Sequence, residues 1–134
     1  MTDTIAQMLT TIRNAQMAGH KEAKISASKL KLAVAKILEK EGFVEFANIE
    51  QENNFNIIKI GLKYHAVSRT KRLPAITNLE RVSKEGQRVY IKKKDIRKVK
   101  NNYGLAIIST SRGVMTGEES RKLGLGGEYI CRVW

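Results

Sequence analysis

Four apolar residues in unbroken succession, Leu105-Ala106-Ile107-Ile108, run straight into three hydroxyls, a guanidinium and a glycine, Ser109-Thr110-Ser111-Arg112-Gly113. An apolar run of this kind reads as a strand buried within a core rather than a half-exposed one. The hydroxyls then stand where that strand emerges at the edge of the core. Hydroxyl side chains both donate and accept hydrogen bonds, and a rigid strand beneath them decides where those bonds point.

The charge says what such a tip could meet. The 134 residues carry 25 Lys and Arg against 13 Asp and Glu, a net charge of +12 and an isoelectric point near 10.0. That excess favours a polyanionic partner, nucleic acid before an anionic membrane. It is unevenly spread: 9 basic and 7 acidic residues lie in 1–64, and 16 basic and 6 acidic in 65–134. This asymmetry marks a functional division in a chain that can bury its core as one domain or as two small ones packed together: 1–64 reads as a charge-balanced N-terminal α/β module, and 65–134 as a basic, β-rich RNA-binding one that includes a connector at 65–75.

Several classes fall away. No apolar run approaches the roughly 18 residues that a spanning helix needs, and the N-terminus lacks the pattern of a secretory signal. We expect no membrane association. The lone Cys131 sits in an apparent strand, where a small buried thiol is the reading over a nucleophile, and a reducing compartment fits. One cysteine with His20 and His65 far apart makes no zinc spacing, so no metal or cofactor is expected.

Read in order, Asp3 to Met17 is a helix with Ile5, Met8, Leu9 and Ile12 on one face, closed by Gly19. Lys24 to Ala27 is extended. Ser28 caps a second helix, striped by Leu30, Val34, Ile37 and Leu38 and stopped by Gly42. Ser28, Lys29 and Lys31 crowd its first turn, where cations oppose the helix dipole. That placement suits either a phosphate beside free backbone N–H groups or two tolerated surface lysines. Phe43 to Ile49 and Phe55 to Tyr64 are strands around a hairpin turn at Glu50 to Asn54. Pro74 argues against a central strand near it.

Arg88 to Ile91 is a strand, followed by Lys92, Lys93, Lys94, Arg97, Lys98 and Lys100 with only Asp95 among them. Such a run repels itself unless an anion neutralises it, so phosphate contact is favoured over a plain solvated face. Tyr90 beside it suits base stacking or a place in the core. Asn101 to Gly104 is a turn, and Val114-Met115 resumes an apolar path. Thr116 with Glu119 fits the cap of a short helix that Gly124 closes. After the tight turn Gly126-Gly127, residues 128–134 alternate as a final strand, with Tyr129, Cys131 and Val133 against Ile130, Arg132 and Trp134.

No enzyme is apparent. Neither histidine lies near Ser109 or Ser111 in sequence, and Ser109-Thr110-Ser111-Arg112 puts Arg where an S-x-x-K nucleophile motif needs Lys. Gly124-Leu125-Gly126-Gly127 is neither a dinucleotide fingerprint nor a Walker loop.

The stretch Gly104 to Thr116, continued by Gly126-Gly127-Glu128, resembles the C-terminal signature of the bacterial-type ribosomal protein S8 family. Asp3-Thr4-Ile5-Ala6-Gln7-Met8-Leu9-Thr10-Thr11-Ile12-Arg13-Asn14-Ala15 is similar to that family's N-terminus. The resemblance implies an α+β protein of two domains, an N-terminal α-β-α-β-β unit and a mostly β C-terminal unit with a short helix. It implies a structural role in the small ribosomal subunit, binding a helical element in the central domain of 16S rRNA early in 30S assembly beside neighbouring ribosomal proteins. In many bacteria the family also represses its own operon by binding an mRNA that mimics the rRNA site. By motif position, Ser109, Thr110 and Ser111 would contact the RNA, with Arg112, Gly126, Gly127 and Glu128 lining the same surface. Tyr90 matches the family's Arg-Val-Tyr strand, and Ser28, Lys29 and Lys31 its basic helix start. The expected protein is a monomer when free, and its ribosome cytoplasmic in preference to a plastid one.

Overall fold

The computed structural model describes residues 4–84, 86–96 and 104–134, and they fall into two compact units, Thr4–Thr77 and Asn78–Trp134. Expectations placed on Asp3, Arg97, Lys98, Lys100 and 101–103 lie outside the described residues.

In the first unit, helix α1 (Thr4–Met17) buries Ile5, Met8, Leu9, Ile12 and Ala15, the 3.6-residue stripe of an amphipathic helix. Gly19 ends it at φ 72°, with His20 N–H returning to Ala15 O at 3.0 Å. Strand β1 (Glu22–Ser26) alternates so that Ala23 and Ile25 point inward. Helix α2 (Lys29–Lys40) begins where Ser28 Oγ accepts from Lys31 N at 3.2 Å, and Gly42 closes it at φ 82°. Strands β2 (Val44–Glu52) and β3 (Phe55–Leu62) complete an antiparallel sheet in the order β1-β3-β2. This is the expected α-β-α-β-β succession.

The hairpin turn is tighter than the expected Glu50 to Asn54. Only Asn53 (φ 51°) and Asn54 (φ 67°) turn, because asparagine tolerates the left-handed region at both positions of a two-residue loop. Glu50, Gln51 and Glu52 stay in the ladder opposite Ile57, Asn56 and Phe55. On the outer face the Phe46 ring covers Gly61 so closely that a Cβ there would sit 2.3 Å from Phe46 Cε1.

Strands β4 (Tyr64–Ala66) and β5 (Arg72–Pro74) form a separate two-stranded ribbon, which accommodates Pro74. The connector 65–75, expected with the C-terminal domain, clusters with the first unit. The ties are visible: Tyr64 hydroxyl donates to His20 O at 2.6 Å, Ala75 N to Lys63 O at 2.9 Å, and Ile76 is buried. Charge composition changes at residue 65, but packing follows these bonds.

The second unit holds β6 (Leu79–Arg81), β7 (Tyr90–Ile91), a 3-10 turn (Lys93–Asp95), β8 (Leu105–Thr110), β9 (Gly113–Thr116), helix α3 (Gly117–Lys122) and β10 (Gly127–Val133). The antiparallel sheet runs β6-β10-β8-β9, with β7 pairing the start of β10. Adjacent Ile107 and Ile108 point to opposite faces, and neither has any exposure, so β8 is covered on both sides. Helix α3 starts from Thr116, whose hydroxyl accepts Glu119 N at 3.1 Å, and Gly124 stops it at φ 70°. A Cβ on Gly117 would meet Ala106 Cβ at 3.1 Å, so the helix start lies directly on β8.

The alternation expected along β10 fails at Ile130. The register moves from Tyr129↔Ile108 to Cys131↔Ile107, so Ile130 is the extra residue of a β-bulge. Ile130 and Cys131 are therefore both buried, and the carbonyl of Ile130 turns away from β8 to accept from Val82 N (3.1 Å) and the Arg81 guanidinium.

Candidate nucleic-acid interface

The β8–β9 hairpin builds the tip from the strand upward. Ser109 faces Val114 and Thr110 faces Gly113, leaving Ser111 and Arg112 as the exposed turn. Gly113 takes φ 116°, beyond ordinary reach of an L side chain, which fits a turn followed by a glycine bulge. Thr110 fixes the turn from within: its Oγ1 accepts Arg112 N at 3.1 Å and donates to Gly113 O at 2.9 Å. Its donor is thus committed, and what it can still offer a ligand is acceptance at one lone pair. The free hydroxyls of the cluster are those of Ser109 and Ser111, whose side chains have no hydrogen-bond partner among the described residues.

The glycine turn joins this tip through contact as well as through resemblance. A Cβ on Gly127 would lie 2.1 Å from Ser109 O, 2.9 Å from Ser109 C and 3.2 Å from Thr110 Cα. Only glycine lets β10 approach the end of β8 so closely. One residue on, Glu128 stands opposite Ser109 in β8 and opposite Tyr90 in β7, so one row of the sheet reads Ser109, Glu128, Tyr90. Cross-strand partners share a face. Tyr90 is 72% exposed, which decides between the two readings of it: the ring is outside the core and available for stacking.

The Glu128 side chain is engaged within its own unit. Its carboxylate accepts from Ser83 Oγ at 2.7 Å and from Arg88 at 3.2 Å, and Ser83 Oγ in turn accepts Val89 N at 3.1 Å. Ser83 is fully buried. The carboxylate therefore straps down the segment that carries Tyr90, and Arg88 offsets a charge that would repel phosphate. Ser83 and Arg88 were not picked out from sequence. The available hint was an acid, Glu128, placed directly after the glycine turn in the basic half of the chain.

Beyond the row, Lys92 and Lys94 are exposed. At the other end of β10, Arg132 holds Glu80 through two bonds of 2.8 Å and lies 5.8 Å from the Trp134 ring centroid. The bonds to Glu80 hold the Arg132 guanidinium above its ordinary range, and burial raises the Tyr129 phenol. Burial likewise pushes the Cys131 thiol up to about 12, the behaviour of an inert buried sulfur.

Ser28, Lys29 and Lys31 are in the first unit, apart in the chain from this row, and they divide. Lys29 is exposed at the helix start. Lys31, expected at the surface, is only 5% exposed, and its Nζ donates to Ser26 O (3.1 Å) and Ser26 Oγ (2.9 Å). Its stem runs back along α2 and its ammonium secures the end of β1. Gly126 is exposed beside Gly127. Among the described residues no helix is long and apolar enough to cross a membrane.

Comparison with known proteins places this arrangement. The family description of ribosomal protein S8 matches residues 3–134. The chain is 49% identical over 134 residues to a small ribosomal subunit protein uS8 of Caldanaerobacter subterraneus, covering 100% of this chain and 98% of that one. It is 48% identical over 134 residues to a uS8c of Trieres chinensis, covering 100% and 99%, and 48% over 132 residues to a uS8 of Roseiflexus castenholzii, covering 98% and 97%. An α+β chain with this glycine-locked hydroxyl tip, matched end to end at such identity, belongs to the ribosomal protein S8 family, whose members are structural and not enzymes.

Proposed function

We propose that this chain is a structural constituent of the small ribosomal subunit and that its second unit binds an irregular helical element in the central domain of 16S rRNA early in 30S assembly. The observation that carries the reading is the row at the end of β8: hydroxyls at the end of a strand buried from Leu105 to Ile108, locked by the backbone approach of Gly127, beside an outward Tyr90. Regular A-form RNA hides its major groove, so proteins read irregular sites, 2′-hydroxyls and the shallow minor groove. Short side chains on a rigid edge suit that approach. Ser109 and Ser111 act as readers, Arg112 contacts backbone, and Tyr90 stacks. Lys92 and Lys94 supply a salt-dependent share of affinity. Gly126 and Gly127 keep the edge flat, Thr110 shapes the turn, and Glu128 holds Tyr90 in place. In the first unit Ser28 and Lys29 form a second phosphate contact, with Lys31 supporting the helix start.

Free in solution the protein is a monomer, and in the cytoplasmic ribosome it has other small-subunit proteins as neighbours. The same surface serves for an operon mRNA that presents the same irregular helix. Nuclease footprinting on small-subunit rRNA with this protein alone tests the reading. Protection confined to one irregular helix of the central domain is expected, and protection spread evenly over the RNA would refute it. Sedimentation tests the ribosomal role: absence from small subunits at native abundance would leave only mRNA repression.

A further inference from the structure

One stretch of this basic protein avoids positive charge. From Glu41 to Ile58 there is no Lys or Arg but four glutamates, Glu41, Glu45, Glu50 and Glu52, in a chain of net charge +12. The same stretch forms β2, the end strand of the β1-β3-β2 sheet. End strands leave backbone groups unpaired along the outer edge. In a two-residue hairpin the closing pair, Glu52 and Phe55, exchanges both ladder bonds, so alternate residues point their N–H and C=O away from the partner strand. Ala47 is on the outward set, and its N–H is taken by Glu39 Oε2 at 3.1 Å. Ile49 and Gln51 repeat that orientation two and four residues on. Among the described residues no strand lies along them.

The side chains extend the pattern. Ile25, Ile58 and Ile49 form one row across the three strands. The first two are buried, but Ile49 at the sheet edge is 51% exposed, so an apolar row of the core stops unfinished. On the opposite face, Asn48, Glu50 and Glu52 line β2 beside Phe55, which is 73% exposed. The carboxylates of Glu50 and Glu52 have Lys59 (3.8 Å) and Lys24 (3.2 Å) on their inner side. Exposed pairs of this kind are weak and leave a carboxylate open to a further cation.

We propose that the outer edge of β2 at Ile49–Gln51 docks an extended, cationic segment of a neighbouring ribosomal protein, added as a fourth strand. Its backbone pairs with Ile49 and Gln51, its apolar side chains continue the Ile25–Ile58–Ile49 row, and its alternate Lys or Arg side chains meet Glu50 and Glu52. RNA is disfavoured here because phosphates would face carboxylates. A second copy is disfavoured because edge-to-edge pairing would set glutamate rows against each other. The proposal rests on small-subunit membership, and goes beyond it by naming the surface and the chemistry of its partner.

The test is a photoreactive benzophenone amino acid at exposed Asn48 of the full chain, photolysed in small subunits assembled with it. The expected adduct is with a basic ribosomal protein, through a segment alternating apolar and basic residues. Gln51→Pro removes an outward N–H without touching the ladder. It should cut adduct yield about tenfold, the worth of one backbone hydrogen bond, while binding to the isolated rRNA helix stays unchanged. An adduct with rRNA or with an acidic protein, a yield that ignores Gln51→Pro, or no protein adduct in subunits that contain the chain would each overturn the proposal. Absence of the parent chain from sedimented subunits would instead be the failure of the ribosomal reading.

Discussion

Gly127→Ala tests whether the hydroxyl tip is set by backbone approach. The added methyl would sit 2.1 Å from Ser109 O, and a separation below 3.0 Å is essentially never seen for a real Cβ. The strands must therefore part by about 1 Å, and the nearest atoms are all backbone, which has no rotamer to give. Overpacking of this kind costs about 1–3 kcal/mol, and loosening the Glu128–Ser109 pairing adds about 1 kcal/mol. We take about 3 kcal/mol as the expected loss, which with an m-value of about 2 kcal/mol/M lowers the urea midpoint by about 1.5 M. Trp134, the chain's only tryptophan, lies in this unit and reports its unfolding by fluorescence. Gly86→Ala is the control: nothing lies within 4 Å of its Cβ, and a change within about 0.5 kcal/mol is expected. Under conditions where both variants are folded, Gly127→Ala should also bind the rRNA helix more weakly. A Gly127→Ala midpoint equal to that of Gly86→Ala would refute the close approach, and with it the account of how the tip is held.

Ser83→Ala removes the partner of the part-buried Val89 N–H and deprives Glu128 of a donor; we expect a loss of about 1–2 kcal/mol in urea unfolding. Lys31→Met should destabilise the first unit with little effect on RNA affinity, and Lys29→Ala should do the reverse, as separate melting and filter-binding measurements will show. For Thr110→Ala, loss of the two turn bonds predicts about 1 kcal/mol weaker RNA binding at an unchanged salt slope. Lys94→Ala should lower the slope by about 0.7–0.9, and equal slopes for both variants would defeat the division between an uncharged tip and lysine clamps. The Cys131 thiol, raised from 9.0 to about 12, stays protonated longer when folded than when unfolded. Its contribution is complete below pH 9 and declines by about 1.4 kcal/mol per unit as pH rises from there towards 12. Cys131→Ala should remove that slope in pH-dependent unfolding, and the native thiol should resist alkylation at pH 8.

Most of the fold could be read from residue order because it rests on local chemistry. Ser28, Thr116, Gly19, Gly42 and Gly124 each mark a helix end through a side-chain oxygen or a left-handed backbone, and such signals act over three or four residues. The buried run at Leu105–Ile108 announced a strand covered on both faces in the same way. What was not legible depends on partners distant in sequence. The Ile130 bulge exists because β6 and β8 make different demands on β10, and no local pattern encodes two neighbours. The burial of Lys31 depends on the carbonyl of Ser26 lying within reach of its stem. The anchoring of Tyr64, at the start of the β4–β5 ribbon, depends on its hydroxyl finding His20 O, forty-four residues earlier.

The same distinction explains how the site divides its labour. Charge is long-ranged and tolerant of position, so the basic excess of residues 65–134 is visible as a count and needs no fixed geometry to attract RNA. Discrimination between RNA sites, the role proposed for this tip, needs donors and acceptors held in place, and the rigidity comes from groups that carry no charge to the surface. Gly127 sets the height of the edge, Thr110 spends its donor inside the turn, and Ser83 with Glu128 anchors the segment bearing Tyr90. On the proposed reading, an acid at the centre of a row that faces RNA is costly unless its charge is already satisfied, and Arg88 with Ser83 satisfies it. Neutralising Glu128 should therefore weaken RNA binding through loss of order at Tyr90, although it removes a repulsive charge. Glu128→Gln binding more tightly than the parent would mean that the row is electrostatic after all.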